Sequence, residues 1–138
     1  MGLSIYGIGT ENFFSCTYGS WRDLRSWACQ MEGYKESLEF LVGDDHFLQN
    51  TRFRQFVCFS DHDGILVPDK YLIGIDYENS FLLGSSDKLL QELELLKKKL
   101  IRKPRKPSLN QLERSTFLDF YQLVKEEVEE GSGILIYR

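Results

Sequence analysis

The stretch Leu3-Ser4-Ile5-Tyr6-Gly7-Ile8-Gly9 alternates apolar with small residues for most of its length and stops at glycines, the pattern of a strand. Phe13 to Thr17 reads as a second short strand. The period then changes: Trp21, Leu24, Trp27, Ala28 and Met31 recur mostly at three- and four-residue steps, predicting a helix with one core-facing side. Ser20 is placed to cap it, Asp23 to answer the cap, and Gly33 to end it. From Tyr34 to Val57 the pattern is broken by Gly43-Asp44-Asp45, so helical turns and loop are expected. Phe53 to Phe59 fits a helix and a buried strand equally, and Tyr71 to Asp76 reads as extended.

The clearest element follows Gly84-Ser85-Ser86, where either serine can cap a helix through Leu100. Leu89, Leu93, Leu96 and Leu100 form one stripe, and the lysines fall in the last turns, where the helix dipole favours cations. Pro104 and Pro107 stop this helix and mark an exposed connector. A further helix covers Gln111 to Glu130, with Phe117, Tyr121, Val124 and Val128 inward and Gly131 as its C-terminal cap. The chain closes on an apolar strand within Gly133 to Arg138. Two glycine-flanked strands at opposite ends invite pairing. The expectation is an α+β fold: a small sheet that pairs the N- and C-terminal strands and packs one face against about three helices. It forms one domain over residues 1–138, with an exposed basic connector at about 101–110.

Composition agrees with a packed domain. The chain has 138 residues, 42% hydrophobic and 28% charged, and is rich in aromatics, with ten Phe and seven Tyr. Three cysteines, Cys16, Cys29 and Cys58, an odd number at wide spacing, fit neither a disulfide framework nor a zinc site of CxxC pairs, and read as reduced, partly buried thiols of a cytosolic protein. No apolar run reaches the roughly 18 residues of a membrane span, and the first residues lack the regions of a signal peptide. A cytoplasmic location is expected.

The net charge of −4 conceals an asymmetry. Lys97 to Lys106 holds seven cations and no acid, leaving ten basic against twenty-one acidic residues elsewhere, a net near −11. An acidic surface with one basic spot argues against a nucleic-acid-binding domain and suits a basic protein partner. The basic segment lacks interleaved aromatics and reads as a solvated helix end.

Candidate chemistry concentrates in Phe59-Ser60-Asp61-His62-Asp63-Gly64. A calcium loop of the EF-hand type fails in both frames. With Asp61 at its first position, Leu66 stands where glycine is required and Leu72 where the glutamate belongs; with Gly64 as the required glycine, the first position becomes Phe59 and the twelfth Lys70. A composite metal site of Asp61, His62 and Asp63, helped by His46 beside Asp44 and Asp45, is the alternative. Adjacent side chains diverge, so a turn is favoured, with an aspartate bonded to its own backbone and Gly64 supplying the unusual backbone angles. Cys58, four residues before His62, lies in an apolar run and is expected to be buried and inert rather than a nucleophile. Gly7-Ile8-Gly9 lacks the third glycine of a dinucleotide fingerprint and no phosphate-binding GxxxxGK[ST] occurs, so no cofactor is expected. Trp21 and Trp27 read as core.

Tyr18-Gly19-Ser20-Trp21 with Leu24 and Arg25, then Ser60-Asp61-x-Asp63-Gly64, then the last helix leading to Gly131 and an apolar end, resemble a group of small bacterial and phage proteins of no assigned activity. In that group a cysteine tends to follow the Ser-Asp pair; His62 stands there here. In size, charge and composition the chain is also similar to immunity proteins, which bind and block a secreted toxin. That likeness implies a non-enzymatic, protein-binding role with a basic toxin as partner. A metal-binding protein or metal-dependent enzyme using Asp61, His62 and Asp63 is the alternative.

Overall fold

The computed structural model describes residues 2–58, 62–72, 81–101 and 108–138. Strands β1 (Gly2–Gly7), β2 (Phe13–Thr17), β3 (Gly64–Val67), β4 (Leu82–Ser85) and β5 (Ile134–Tyr137) form one mixed sheet in the order β2-β1-β5-β3-β4. The expected pairing of the two ends is present: β1 and β5 run antiparallel from Ser4–Tyr137 to Gly7–Ile134. β1 with β2 and β5 with β3 are also antiparallel, while β4 lies parallel to β3.

Three long helices, α1 (Tyr18–Met31), α5 (Ser86–Ile101) and α6 (Gln111–Glu129), pack with three short ones, α2 (Leu38–Val42), α3 (Asp45–Asn50) and α4 (Arg54–Val57). α1 starts three residues earlier than the Ser20 cap predicts, because the Thr17 hydroxyl accepts the Ser20 N–H at 3.1 Å and takes the capping role itself. α5 begins as expected: Ser85 Oγ receives the Lys88 N–H at 3.0 Å. α6 has a full capping box between Asn110 and Glu113, a signal missed in the sequence. Both α1 and α6 end where glycine predicts. Gly33 and Gly131 have positive φ, and the next residues, Tyr34 and Ser132, donate back to Cys29 O and Glu127 O, closing each helix in a Schellman motif.

β3 and β4 were not anticipated. Leu66 is fully buried at the centre of a four-residue strand, too short for a periodic signal, and Gly84-Ser85 serves as both strand end and helix cap. Tyr71 lies in a 3-10 turn (Asp69–Tyr71) rather than an extended segment, and residues 73–76 of that expectation fall outside the described residues. In the connector, Leu109 joins the core, while residues 102–107 lie outside the described residues.

The core lies between the helices and one face of the sheet. Leu3 and Ile5 from β1, Phe14 from β2, Leu66 from β3 and Ile134 and Ile136 from β5 meet Trp21, Leu24, Leu89, Leu93, Phe117 and Phe120. Its centre is aromatic: Trp21 stands edge-on to Phe56 and Phe120 at 5.5 and 4.9 Å, and Phe56 stacks on Phe120 at 5.9 Å.

α4, which carries Phe56, has only four residues and cannot be stable alone. Two buried charged side chains hold its ends. Glu92 of α5 accepts the Gln55 and Phe56 N–H groups at 3.0 and 2.9 Å, and Arg25 of α1 donates Nε to Val57 O at 2.9 Å. A carboxyl group thus accepts from the amide end of this turn and a guanidinium donates to its carbonyl end. Burial pushes the Glu92 carboxyl up to about 8, against the lowering effect of the two N–H bonds.

Candidate functional site

Of the residues named for a metal site, His46, His62 and Asp63 are among the described residues. Asp61 lies outside the described residues. His62 and Asp63 are exposed, and Asp63 Oδ1 receives the Arg138 N–H at 2.8 Å, with Arg138 Nε 3.7 Å away. Gly64 opens β3 at φ +152°, and a Cβ there would stand 2.5 Å from Phe81 O, so the glycine is required by a close approach as well as by its backbone angle. His46 sits in α3, where Asp44 Oδ1 accepts its N–H at 3.3 Å as the helix cap and Asn50 lies 3.4 Å from its ring. Among the described residues no group of three His, Cys, Asp or Glu side chains is placed to hold a metal ion.

The three cysteines are reduced thiols. Cys29 and Cys58 are buried and Cys16 half-buried, and burial raises the thiols to about 12, 11 and 11 respectively. In the basic segment, Lys97 lies 4.4 Å from the centre of the Tyr121 ring and Lys99 donates to Met31 O at 3.3 Å, so both serve the fold.

A pocket of about 230 Å³ between α1 and α2 is lined by Tyr18, Trp21, Arg22, Arg25 and Glu39 and bordered by Arg138. Its three arginines suggest an anion site, yet each is engaged: Arg22 with Glu39, Arg25 with Val57 O, and Arg138 with Asp63.

The more distinctive surface is the sheet face turned away from the helices. Registers place Phe13, Tyr6, Leu135, Ile65 and Leu82 side by side across all five strands. Tyr6 is 42% and Phe13 56% exposed, their ring centres 5.1 Å apart, and the other three are half-buried. Tyr137, 61% exposed, stands in the next row beside Ser4 and Ser15. The sequence signal for this row was present but unread: in a sheet with helices on one face, Tyr6, Phe13 and Leu135 sit at the alternate positions that point away from the core.

The β2 side of the sheet carries negative charge. Asp119 and Glu126 of α6 border a groove beside β2, where Glu126 accepts the Asn12 amide at 2.8 Å. Glu127, one residue on, is fully buried and receives Gly9 N, Thr10 Oγ1, Asn12 Nδ2 and Ser132 Oγ between 2.6 and 3.2 Å, pinning the β1–β2 turn to α6.

No family model, curated protein or solved structure matches the chain. No helix among the described residues is long and apolar enough to cross a membrane.

Proposed function

We propose that this chain is a non-enzymatic protein-binding domain that receives a basic partner on the open face of its sheet. The observation that carries this reading is the continuous row Phe13, Tyr6, Leu135, Ile65 and Leu82 with Tyr137 beside it. Contiguous apolar surface of this kind is uncommon on a protein without partners, and Tyr and Phe are the residue types that interface cores favour. The acidic excess outside Lys97 to Lys106 supplies attraction for a basic protein, which speeds and selects encounter more than it tightens the complex. Neutralisation of a basic secreted toxin is the most specific form of this reading.

A photo-crosslinking amino acid placed at Tyr6 tests it in native cells, with the same group at Leu112, an exposed α6 residue, as control. One discrete protein adduct from position 6, absent from position 112 and suppressed by added salt, is expected. Equal labelling from both positions, or none, removes the reading. For the toxin form, co-expression with the crosslinked partner has to restore growth that the partner alone arrests.

A further inference from the structure

β2 lies at the edge of the sheet, so among the described residues one side of its backbone faces no neighbouring strand. The Gly7 N–H donates to Asn12 O at 2.9 Å, which sets the phase of the ladder. Along the register Gly2–Thr17 to Tyr6–Phe13, the groups of Asn12, Phe14 and Cys16 then turn toward β1, while the N–H and C=O of Phe13 and Ser15 point outward. Natural edge strands are usually blunted by lysine, proline or a bulge. Phe13-Phe14-Ser15-Cys16-Thr17 has none of these, and its five pairs with β1 run without a shift. The opposite edge differs: β4 pairs with β3 through an irregular register between Ile65 and Leu66.

A groove of about 440 Å³ runs beside this edge, between β2 and α6, with Phe13 and Ser15 on one wall and Asp119, Gln122 and Glu126 on the other. Among the described residues Glu126 is bonded to the neutral amides of Asn12 and Gln122, and Asp119 is exposed. Neither carboxylate is ion-paired among the described residues.

Resting on the protein-binding reading, we propose that β2 accepts a sixth strand: an extended, basic segment of a partner protein that pairs with the backbone of Phe13 and Ser15 and sets alternate Lys or Arg side chains against Asp119 and Glu126. Strand addition draws affinity from main-chain hydrogen bonds and specificity from alternate side chains. Same-face residues of an added strand are about 7 Å apart. Asp119 and Glu126, seven residues apart on α6, are separated by about 10 Å along the helix, a gap that long basic side chains bridge. A second copy of this chain fits poorly, because pairing β2 with β2 would bring two acidic grooves together.

The test uses the capped heptapeptide Thr-Arg-Val-Lys-Val-Arg-Thr, whose basic residues share one face, titrated by calorimetry against the full chain. Salt-sensitive one-to-one binding is expected, weakened at least about tenfold by N-methylation of alternate peptide amides, which removes ladder bonds but keeps the charge. Ser15→Pro, which deletes an outward donor from an edge strand, and Asp119→Lys, at an exposed helix position, each have to produce a similar loss while unfolding as the parent does. No binding, binding that survives N-methylation, or binding indifferent to Ser15→Pro overturns the proposal. So does a dimer in sedimentation that Ser15→Pro dissolves. If the Tyr6 crosslink persists in Ser15→Pro protein and the peptide does not bind the parent chain, the edge is excluded and the open face remains the binding surface; the absence of every crosslink from the parent protein removes both.

Discussion

A Cβ on Gly7 would stand 2.3 Å from Oε1 of Glu127. The last helix therefore sets the Glu127 side chain where residue 7 has none, and the carboxyl group in that space gathers donors from Gly9, Thr10, Asn12 and Ser132. Gly7→Ala should lower the stability to urea, and Glu127→Ala should cost about 2–4 kcal/mol by leaving several part-buried donors unmet. In the Glu127→Ala background, Gly7→Ala should cost much less than in the parent. An additive double-mutant cycle would show that the two residues do not share this space.

Stability should fall with rising pH through the neutral range. Glu92 has its carboxyl raised, chiefly by burial, from 4.5 to about 8, so between those values the folded chain holds a proton that the unfolded chain has released. The contribution is complete below the unfolded value and is lost as pH rises through the folded one. Its slope approaches about 1.4 kcal/mol per pH unit in the middle of the window. Urea midpoints at pH 5, 6.5 and 8 measure the decline, and Glu92→Gln should flatten it.

The cysteines should label slowly in the folded protein. With the Cys58 thiol raised to about 11, its thiolate fraction at pH 8 is on the order of a thousandth. Reaction of Cys29 and Cys58 with a chromogenic disulfide reagent should track unfolding in urea. Rapid stoichiometric labelling of Cys58 without denaturant would instead indicate an activated thiol.

Adjacent residues of β2 should behave oppositely. Phe14 is buried against Trp21 and Phe120, whereas Phe13 is on the open face. Phe14→Ala is expected to cost about 3–5 kcal/mol in thermal or urea unfolding. Phe13→Lys should cost less than about 1 kcal/mol while abolishing the crosslink at Tyr6. A large loss of stability in the second variant would make this face structural.

Divalent zinc, manganese or calcium should leave the melting temperature within about 1 °C, because a ligand that binds only the folded state must raise it. His62 and Asp63 are exposed and the Asp63 carboxylate is engaged by Arg138. Asp63→Asn should change stability by no more than about 1 kcal/mol, as for other exposed ion pairs. A rise in melting temperature with one ion, abolished by His62→Ala, would establish the metal reading.

Much of the architecture was legible because it rests on local chemistry. The leucine period of α5, the glycine stops of α1 and α6, and the alternation in β1 each depend on residues a few positions apart, and the glycine-flanked apolar ends pointed to the β1–β5 pairing. The surface row was half legible: alternation placed Tyr6 and Phe13 on the far side of their strands, but only register aligned them with Leu135, Ile65 and Leu82. Tertiary structure alone decided which charges are buried and what they hold. Glu92 meets Phe56 across 36 positions, Arg25 meets Val57 across 32, and Glu127 meets Thr10 across 117. A buried ionisable group needs its partners in three dimensions, and no local period encodes partners that far apart. Sequence therefore determined the long helices and the terminal strands, while sheet order and helix packing decided that Gly7 yields its space to Glu127 and that β2 is left at the edge beside an acidic helix.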